Sequence, residues 1–201
     1  MHLIRRTNCP AGNTGPLPGA ALVLAAAALV LLLTGCHTTG PTRTTWRQTL
    51  ASELPLLGHR NWILVVDSAY PAQTSAGMEI VPTGADQLVV LDAVLDAVDR
   101  AGHVQGVIHL DSELADVPES RAPGVSAYRE ALGQRLQNRR VLRLPHEELI
   151  AKLDEAGSGF RILVLKSDLT IPYTSVFVQL DCGYWGPEAE QELRETIAHA
   201  K

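Results

Sequence analysis

An uninterrupted apolar run, Trp62-Ile-Leu-Val-Val66, lies between Asn61 and Asp67 and constrains the fold more than any other stretch of the chain. Apolar runs of this length without polar alternation are typical of strands that are covered on both faces of a sheet. Such strands occur in mainly parallel sheets that carry helices on either side. The run therefore predicts a buried strand over 61–67 with an α/β domain built around it.

Strand and helix patterns alternate along the rest of the domain. The clearest helical pattern covers 85–101, with Leu88, Leu91, Val94, Leu95 and Val98 on one face. Two prolines and two glycines between 68 and 84 predict a long functional loop. The predicted strands are 61–67, 104–110, 141–144, 160–165 and 175–180, and the predicted helices are 46–57, 85–101, 120–138, 145–156 and 187–199. This alternation predicts a three-layer α/β domain with a mainly parallel central sheet.

The N-terminal segment has the layout of a secretory signal that ends in a lipobox. Arg5 and Arg6 precede an apolar run over 20–33, and Leu33-Thr-Gly-Cys36 closes it. A transmembrane helix needs about 20 apolar residues, and this run is shorter, so a short anchor helix is the alternative. We expect a signal peptide over 1–35, a lipidated Cys36 with a flexible tether over 36–45, and a domain with a polar C-terminal helix over 46–201. The domain would then be a membrane-anchored lipoprotein of the cell envelope, outside the cytosol.

Composition removes several classes of partner. The net charge is −5 and no run of Lys or Arg occurs, so no basic surface for nucleic acid is predicted. Of the three cysteines, Cys9 lies in the predicted signal and Cys36 is the predicted lipid site, which leaves Cys182 without a disulfide partner. No Cys/His group has the spacing of a zinc site, and no glycine-rich phosphate loop precedes a helix. We predict neither a metal nor a cofactor.

His59 and Asp67 flank the first predicted strand. Ligands of α/β sheets bind beyond the carboxyl ends of strands, which favours a site at Asp67, although an Asx-turn is the structural alternative. His59 could equally cap the preceding helix. At about 3.3 Å per residue, an extended chain separates the two side chains by about 25 Å. Spacing alone therefore supports no catalytic pair unless the chain folds back or a second subunit contributes.

Two further polar positions follow later in the chain. His146 comes directly after Leu144-Pro145 at a predicted helix start, where a surface histidine is the alternative reading. Tyr173 lies in the turn Ile171-Pro-Tyr-Thr-Ser175 between two predicted strands, where a packed turn aromatic is the alternative.

Three stretches together resemble the D-ribose pyranase and L-fucose mutarotase family. They are Leu57-Gly-His-Arg-Asn-Trp-Ile-Leu-Val-Val-Asp67 with the following Ser-Ala-Tyr-Pro71, then Leu144-Pro-His146-Glu-Glu-Leu, and Lys166-Ser-Asp-Leu-Thr-Ile-Pro-Tyr173-Thr-Ser-Val. The first stretch is the most specific, and the resemblance spans roughly 46–183, nearly all of the predicted mature chain.

This resemblance implies compact α/β subunits that form homo-oligomeric rings, with sites completed by a neighbouring subunit. It also implies mutarotation of a ribose- or fucose-like monosaccharide, the opening and reclosing of a hemiacetal ring, without a cofactor. The family's catalytic histidine falls on His59, and its sugar-binding aspartate, second histidine and tyrosine fall on Asp67, His146 and Tyr173. A histidine can move protons in ring opening near neutral pH, and the other groups can hold sugar hydroxyls.

The chain departs from the family in the last stretch. Ser175 stands where the family has an asparagine, and Asp168-Leu169 replaces a Gly-Glu pair. Family members are cytosolic, whereas this chain carries an export signal. These departures motivate a second hypothesis, a non-catalytic sugar-binding or structural ring lipoprotein.

Replacing Cys36 with alanine is expected to abolish lipid attachment, because the modified thiol is lost. Incorporation of labelled palmitate and membrane fractionation in a bacterial host measure this directly. Cys9→Ala is the matched control and should keep both the label and the membrane fraction. A Cys36→Ala protein that still takes up palmitate would contradict the assignment.

Overall fold

A six-stranded sheet forms the centre of the domain. The structure is a computed structural model that describes residues 45–200, so the predicted signal, Cys36 and the tether up to residue 44 lie outside the described residues. The strands are β1 (Trp62–Val66), β2 (Met78–Pro82), β3 (Val104–Asp111), β4 (Val141–Leu144), β5 (Ile162–Lys166) and β6 (Val176–Cys182). The helices are α1 (Trp46–Glu53), α2 (Gln87–Arg100), α3 (Val125–Leu136), α4 (His146–Gly159) and α5 (Pro187–His199), with short 3₁₀ turns at Leu54–Leu56 and Ser112–Ala115.

The strand order across the sheet is β2-β5-β1-β6-β3-β4. β1 pairs in parallel with β5, β5 with β2, and β3 with β4. β6 is antiparallel to both of its neighbours, β1 and β3. Five strands therefore share one direction, and their carboxyl ends meet at one edge of the sheet together with the start of β6.

Helices cover both faces of the sheet, which confirms the predicted three-layer α/β class with a mainly parallel sheet. All five residues of β1 are buried. Ile63 and Val65 pack into the core on the side of α1, α2 and α3, whereas Trp62, Leu64 and Val66 pack with Leu149 and Leu153 of α4. Burial on both faces explains why the sequence of β1 lacks alternation.

The loop predicted over 68–84 is only partly a loop, and this interpretation was wrong at its end. Met78–Pro82 forms the edge strand β2 against β5. The strand is half exposed, and the flanking Gly77, Pro82 and Gly84 signal a turn by composition. Gly77 is required here, since a Cβ would overlap the carbonyl oxygens of Gly157 and Phe160.

Helix α2 begins and ends close to its predicted bounds. The Asp86 carboxylate accepts hydrogen bonds from the N–H groups of Leu88 and Val89, which satisfies two donors of the first turn. Gly102 follows the helix with a φ of +62°, a conformation that favours glycine. The buried face differs from the prediction at its start, because Val90 is fully buried whereas Leu88 is half buried.

Helix α5 matches its predicted bounds and contributes no buried residue to the domain. Leu193 and Ile197 remain 42% and 46% exposed on it. None of the helices described within 45–200 is long and apolar enough to cross a membrane.

Leu153→Ala is expected to lower the free energy of unfolding by about 2–5 kcal/mol, because it removes a fully buried side chain between α4 and the sheet. Urea unfolding followed by circular dichroism gives this value. Leu193→Ala on α5 is the matched control and should change the free energy by less than about 0.5 kcal/mol. Equal effects of the two changes would contradict the packing described for α4.

Candidate functional site

A cavity of about 390 Å³ opens at the edge where the five strands end. Its size falls within the range of small-molecule sites, about 300–1,000 Å³. Three strand ends supply its polar groups: Asp67 follows β1, Asp111 ends β3, and His146 follows β4. Tyr173 and Ser175 line it from the segment that enters β6. The sheet thus brings together four of the five predicted sugar-site residues, Asp67, His146, Tyr173 and Ser175.

Asp67 is held by both of its carboxylate oxygens. Oδ1 accepts the N–H of Ala69 at 2.8 Å, which is the Asx-turn considered from sequence. Oδ2 accepts the hydroxyl of Ser175 at 3.4 Å across the boundary between β1 and β6. Ser175 is itself only 4% exposed. The turn and the cavity lining therefore coexist at Asp67, and the two readings are not exclusive.

His146 is fixed by three neighbours. Its backbone N–H donates to both carboxylate oxygens of Glu113, at 3.0 and 3.1 Å. Its ring Nδ1 lies 3.1 Å from Oδ1 of Asp111, and its ring meets that of Tyr173 edge to face at 5.6 Å between centroids. The His146 side chain is 36% exposed, whereas that of Asp111 is 1% exposed. The ring therefore faces the cavity while its partner carboxylate is buried behind it.

The turn that presents Tyr173 is anchored by a buried polar network. The backbone of Tyr173 has a φ of +58°, which is uncommon for a residue other than glycine. Next to it, the carbonyl of Thr174 accepts the hydroxyl of Tyr128 at 2.7 Å and the side-chain amide of Gln87. Gln87 in turn accepts the hydroxyl of Ser167 at 3.0 Å. These bonds hold the strained turn in place.

The remaining cavity wall is aromatic and aliphatic. Tyr70 donates its hydroxyl to Gln73 at 3.1 Å, and its own carbonyl accepts Lys166 Nζ at 2.7 Å. Burial raises the pKa of Tyr70 to about 12, with Asp154 and Asp111 adding to the effect, so this hydroxyl keeps its proton at neutral pH. Ile150 and three smaller apolar residues, Ala69, Pro71 and Pro172, complete the wall.

The charge of the lining is negative. Asp67, Asp111 and Glu147 line the cavity, and no Lys or Arg does so among the described residues. Burial raises the pKa of Asp111, and the hydrogen bond and charge of His146 offset part of this effect. An anionic ligand would meet repulsion here, whereas a neutral polyhydroxyl ligand finds several acceptors.

His59, the fifth predicted residue, lies at the opposite edge of the sheet, before the start of β1. Its Nδ1 is 2.8 Å from Oδ1 of Asp181, near the end of β6, and its side chain is 59% exposed. Burial opposes ionisation of Asp181, but bonds from the N–H of Cys182 and from His59 outweigh it and lower the pKa of that carboxyl. The carbonyl of Leu57 is contacted by His103 instead. One subunit therefore does not bring His59 to the cavity.

A second cavity of about 490 Å³ lies on the same face as α4, near the start of β1. Arg60, Trp62, His109, Lys152 and Gln179 are among its lining residues. His109 is 4% exposed and bonds Gln179 through Nε2 at 3.1 Å. Burial lowers the pKa of His109, which favours the neutral ring. Its lining includes two cations, unlike the lining of the cavity at Asp67.

Sequence reasoning missed Asp111 and Glu113. The signal was present, since Asp111 follows an apolar strand just as Asp67 does. Tyr70 and Gln73 were hidden within the predicted loop. Among residues 45–200, no three His, Cys, Asp or Glu side chains are grouped so that they could hold a metal ion.

No family model and no curated protein matches the sequence. Three solved structures share part of its arrangement. RbsD of Bacillus subtilis, solved in complex with D-ribose, is 15% identical with a TM-score of 0.48, and the match covers 71% of this chain and 98% of that chain.

The other two structures are similar in extent. FucU of Bifidobacterium longum is 15% identical with a TM-score of 0.46, over 66% of this chain and 93% of that chain. The fucose mutarotase of Streptococcus pneumoniae, solved with L-fucose, is 13% identical with a TM-score of 0.46, over 72% and 97%. At these values the functional case depends on the cavity itself.

Glu113→Gln is expected to destabilise the domain near neutral pH, because a charged cap on the first turn of α4 is lost. The bond from the His146 N–H lowers the pKa of Glu113, so the stabilisation is present above the unfolded pKa and disappears as pH falls through the folded one. Urea unfolding of both proteins at about pH 7 and about pH 3 should show a difference that shrinks in acid. Glu148→Gln, in the same helical turn, is the control with the smaller effect, and an effect of Glu113→Gln that persists in acid would contradict this role.

Proposed function

We propose that this protein is a monosaccharide mutarotase-like isomerase of the ribose pyranase and fucose mutarotase type. It would interconvert anomers or ring forms of a free sugar without a cofactor. The observation that carries the proposal is the convergence of Asp67, His146, Tyr173 and Ser175 on one cavity. These are the positions that the sequence resemblance marks for sugar binding, and they are distant from one another along the chain.

The chemistry of the cavity supports a neutral sugar as ligand. The carboxylates of Asp67 and Asp111 accept hydrogen bonds from hydroxyls, and the Ser175 and Tyr173 hydroxyls both donate and accept. Tyr173 and Tyr70 offer aromatic surface to the apolar face of a pyranose ring. The absence of Lys and Arg from the described lining disfavours a phosphorylated sugar.

Ring opening needs one group that removes a proton from the anomeric hydroxyl and another that protonates the ring oxygen. We assign one of these tasks to His59, in line with the family resemblance. Because His59 lies at the opposite edge of its own sheet, it would serve the cavity of a neighbouring subunit. This requirement supports a homo-oligomeric ring in which each site is completed by the next copy.

The proposed setting is the cell envelope, with acyl chains on Cys36 holding the ring at a membrane. One acyl chain binds a membrane only marginally, whereas several on one assembly bind firmly. The tether would have to let each anchor reach the same side of the ring.

A non-catalytic sugar-binding lipoprotein is the second candidate. The observation that favours it is Ser175, which is buried against Asp67 and offers one hydroxyl where the family has an amide. Such a protein would bind the same neutral sugars without speeding anomer exchange.

Full-length protein is expected to accelerate anomer exchange of at least one pentose or deoxyhexose above the buffer rate, as measured by NMR saturation transfer. His59→Ala should lower this acceleration by about 100-fold or more, since general acid–base groups contribute about that much. His199→Ala, on the exposed face of α5, is the control and should leave the rate unchanged.

Titration of the same sugars by calorimetry separates the two candidates. Binding without any acceleration would establish the non-catalytic one. If His59→Ala keeps the wild-type rate, the assigned role of His59 is wrong even where the enzyme is active.

A further inference from the structure

The buried carboxylate of Asp111 is the least explained charged group in the domain. It is 1% exposed, and the hydrogen bond from the His146 ring is the one contact that Oδ1 makes to a side chain in the described part of the chain. Its other oxygen, Oδ2, is buried with no hydrogen-bond partner among the described residues. Burying a carboxylate in this way is costly, and such a group is retained where it acts on a neighbour.

We infer that Asp111 is a positioning residue that makes His146 a proton-transfer group rather than a passive sugar contact. This inference rests on the proposed function for its reaction and on the geometry for its orientation. Neither the sequence resemblance nor the alternation pattern assigns any role to Asp111.

The hydrogen-bond inventory sets the tautomer of His146. A carboxylate accepts hydrogen bonds and cannot donate them, so Nδ1 of His146 carries the proton and donates to Asp111 at 3.1 Å. Nε2 is then an unprotonated acceptor, and it makes no hydrogen bond to the residues that the structure describes. A histidine oriented in this way through one nitrogen presents the other as a base.

The backbone reinforces this orientation. Glu113 holds the N–H of His146 through both of its oxygens, and Tyr173 packs its ring against the imidazole. Asp111 and Glu113 belong to one short segment at the end of β3, so a single element fixes both the main chain and the ring. The ionisable groups near His146 are Asp111, Glu113, Asp67, Tyr70, Glu147 and Tyr173.

The step that His146 would perform is balanced. Nε2 takes the proton of the anomeric hydroxyl, the C1–O bond within the ring breaks, and its electron pair goes to the ring oxygen as C1 becomes a carbonyl. The ring oxygen takes a proton from a second acid, a protonated imidazole of a neighbouring subunit or water. Reclosure on the other face of the carbonyl reverses each transfer.

The test begins with the ring nitrogens. Long-range ¹H–¹⁵N correlation spectra of the full-length protein, with the signals assigned by His146→Gln, should show the Nδ1–H tautomer for His146. Asp111→Asn should shift the ring toward the mixture of a free histidine. Asp99→Asn, which removes a surface carboxylate paired with Arg139, is the matched control and should leave the His146 signals unchanged.

Catalysis supplies the second readout. Asp111→Asn should lower kcat for anomer exchange by about tenfold or more, with a smaller change in KM, because a proton-transfer group loses its orientation. An Nε2–H tautomer in the wild type would overturn the inference without any variant, even if Asp111→Asn fails to fold. A shifted tautomer with an unchanged kcat would overturn the catalytic role.

These outcomes separate this inference from the proposed function. If the wild type accelerates no sugar, the proposed function and the proton-transfer role of His146 both fail, whereas the tautomer still decides whether Asp111 orients the ring. If the wild type is active and the His146 tautomer does not respond to Asp111→Asn, only this inference fails.

Discussion

The burial of β1 on both faces is the constraint on which the other elements depend. Because Trp62–Val66 exposes no face to water, helices must cover the sheet on each side, and β5 and β6 must satisfy its backbone. The strands that share its direction then end at one edge. Asp67, Asp111 and His146 meet there as a consequence of topology, although they are far apart along the chain.

The cavity is stabilised from both layers of the domain. Gln87 and Tyr128, which begin α2 and lie on α3, bond the carbonyl of Thr174 behind the turn that carries Tyr173. From the other layer, α4 presents His146, whose ring and main chain are held by the segment at Asp111. A buried network in which each member has a partner rigidifies the structure around it. The aromatic side of the cavity is thus preorganised by groups that do not line it.

The class of fold and most elements could be predicted from sequence, because burial leaves a periodic signature in β1 and α2. Strand β2 was missed, since an exposed edge strand between Gly77 and Gly84 has the composition of a loop. The positions of Asp67 and His146 followed from strand ends, but their convergence depends on strand order, which no local pattern encodes. Asp111 was missed for a different reason: its role depends on contact with His146, 35 residues away.

Mapping sugar-induced shifts in backbone amide NMR spectra tests the central claim, that the cavity at the strand ends is the monosaccharide site. The account predicts shifts concentrated at Asp67–Tyr70, at His146 and at Tyr173–Ser175 when a ribose- or fucose-like sugar is added. Shifts confined to the other cavity, around Arg60, His109 and Gln179, would contradict it. So would a spectrum that no sugar in the panel changes.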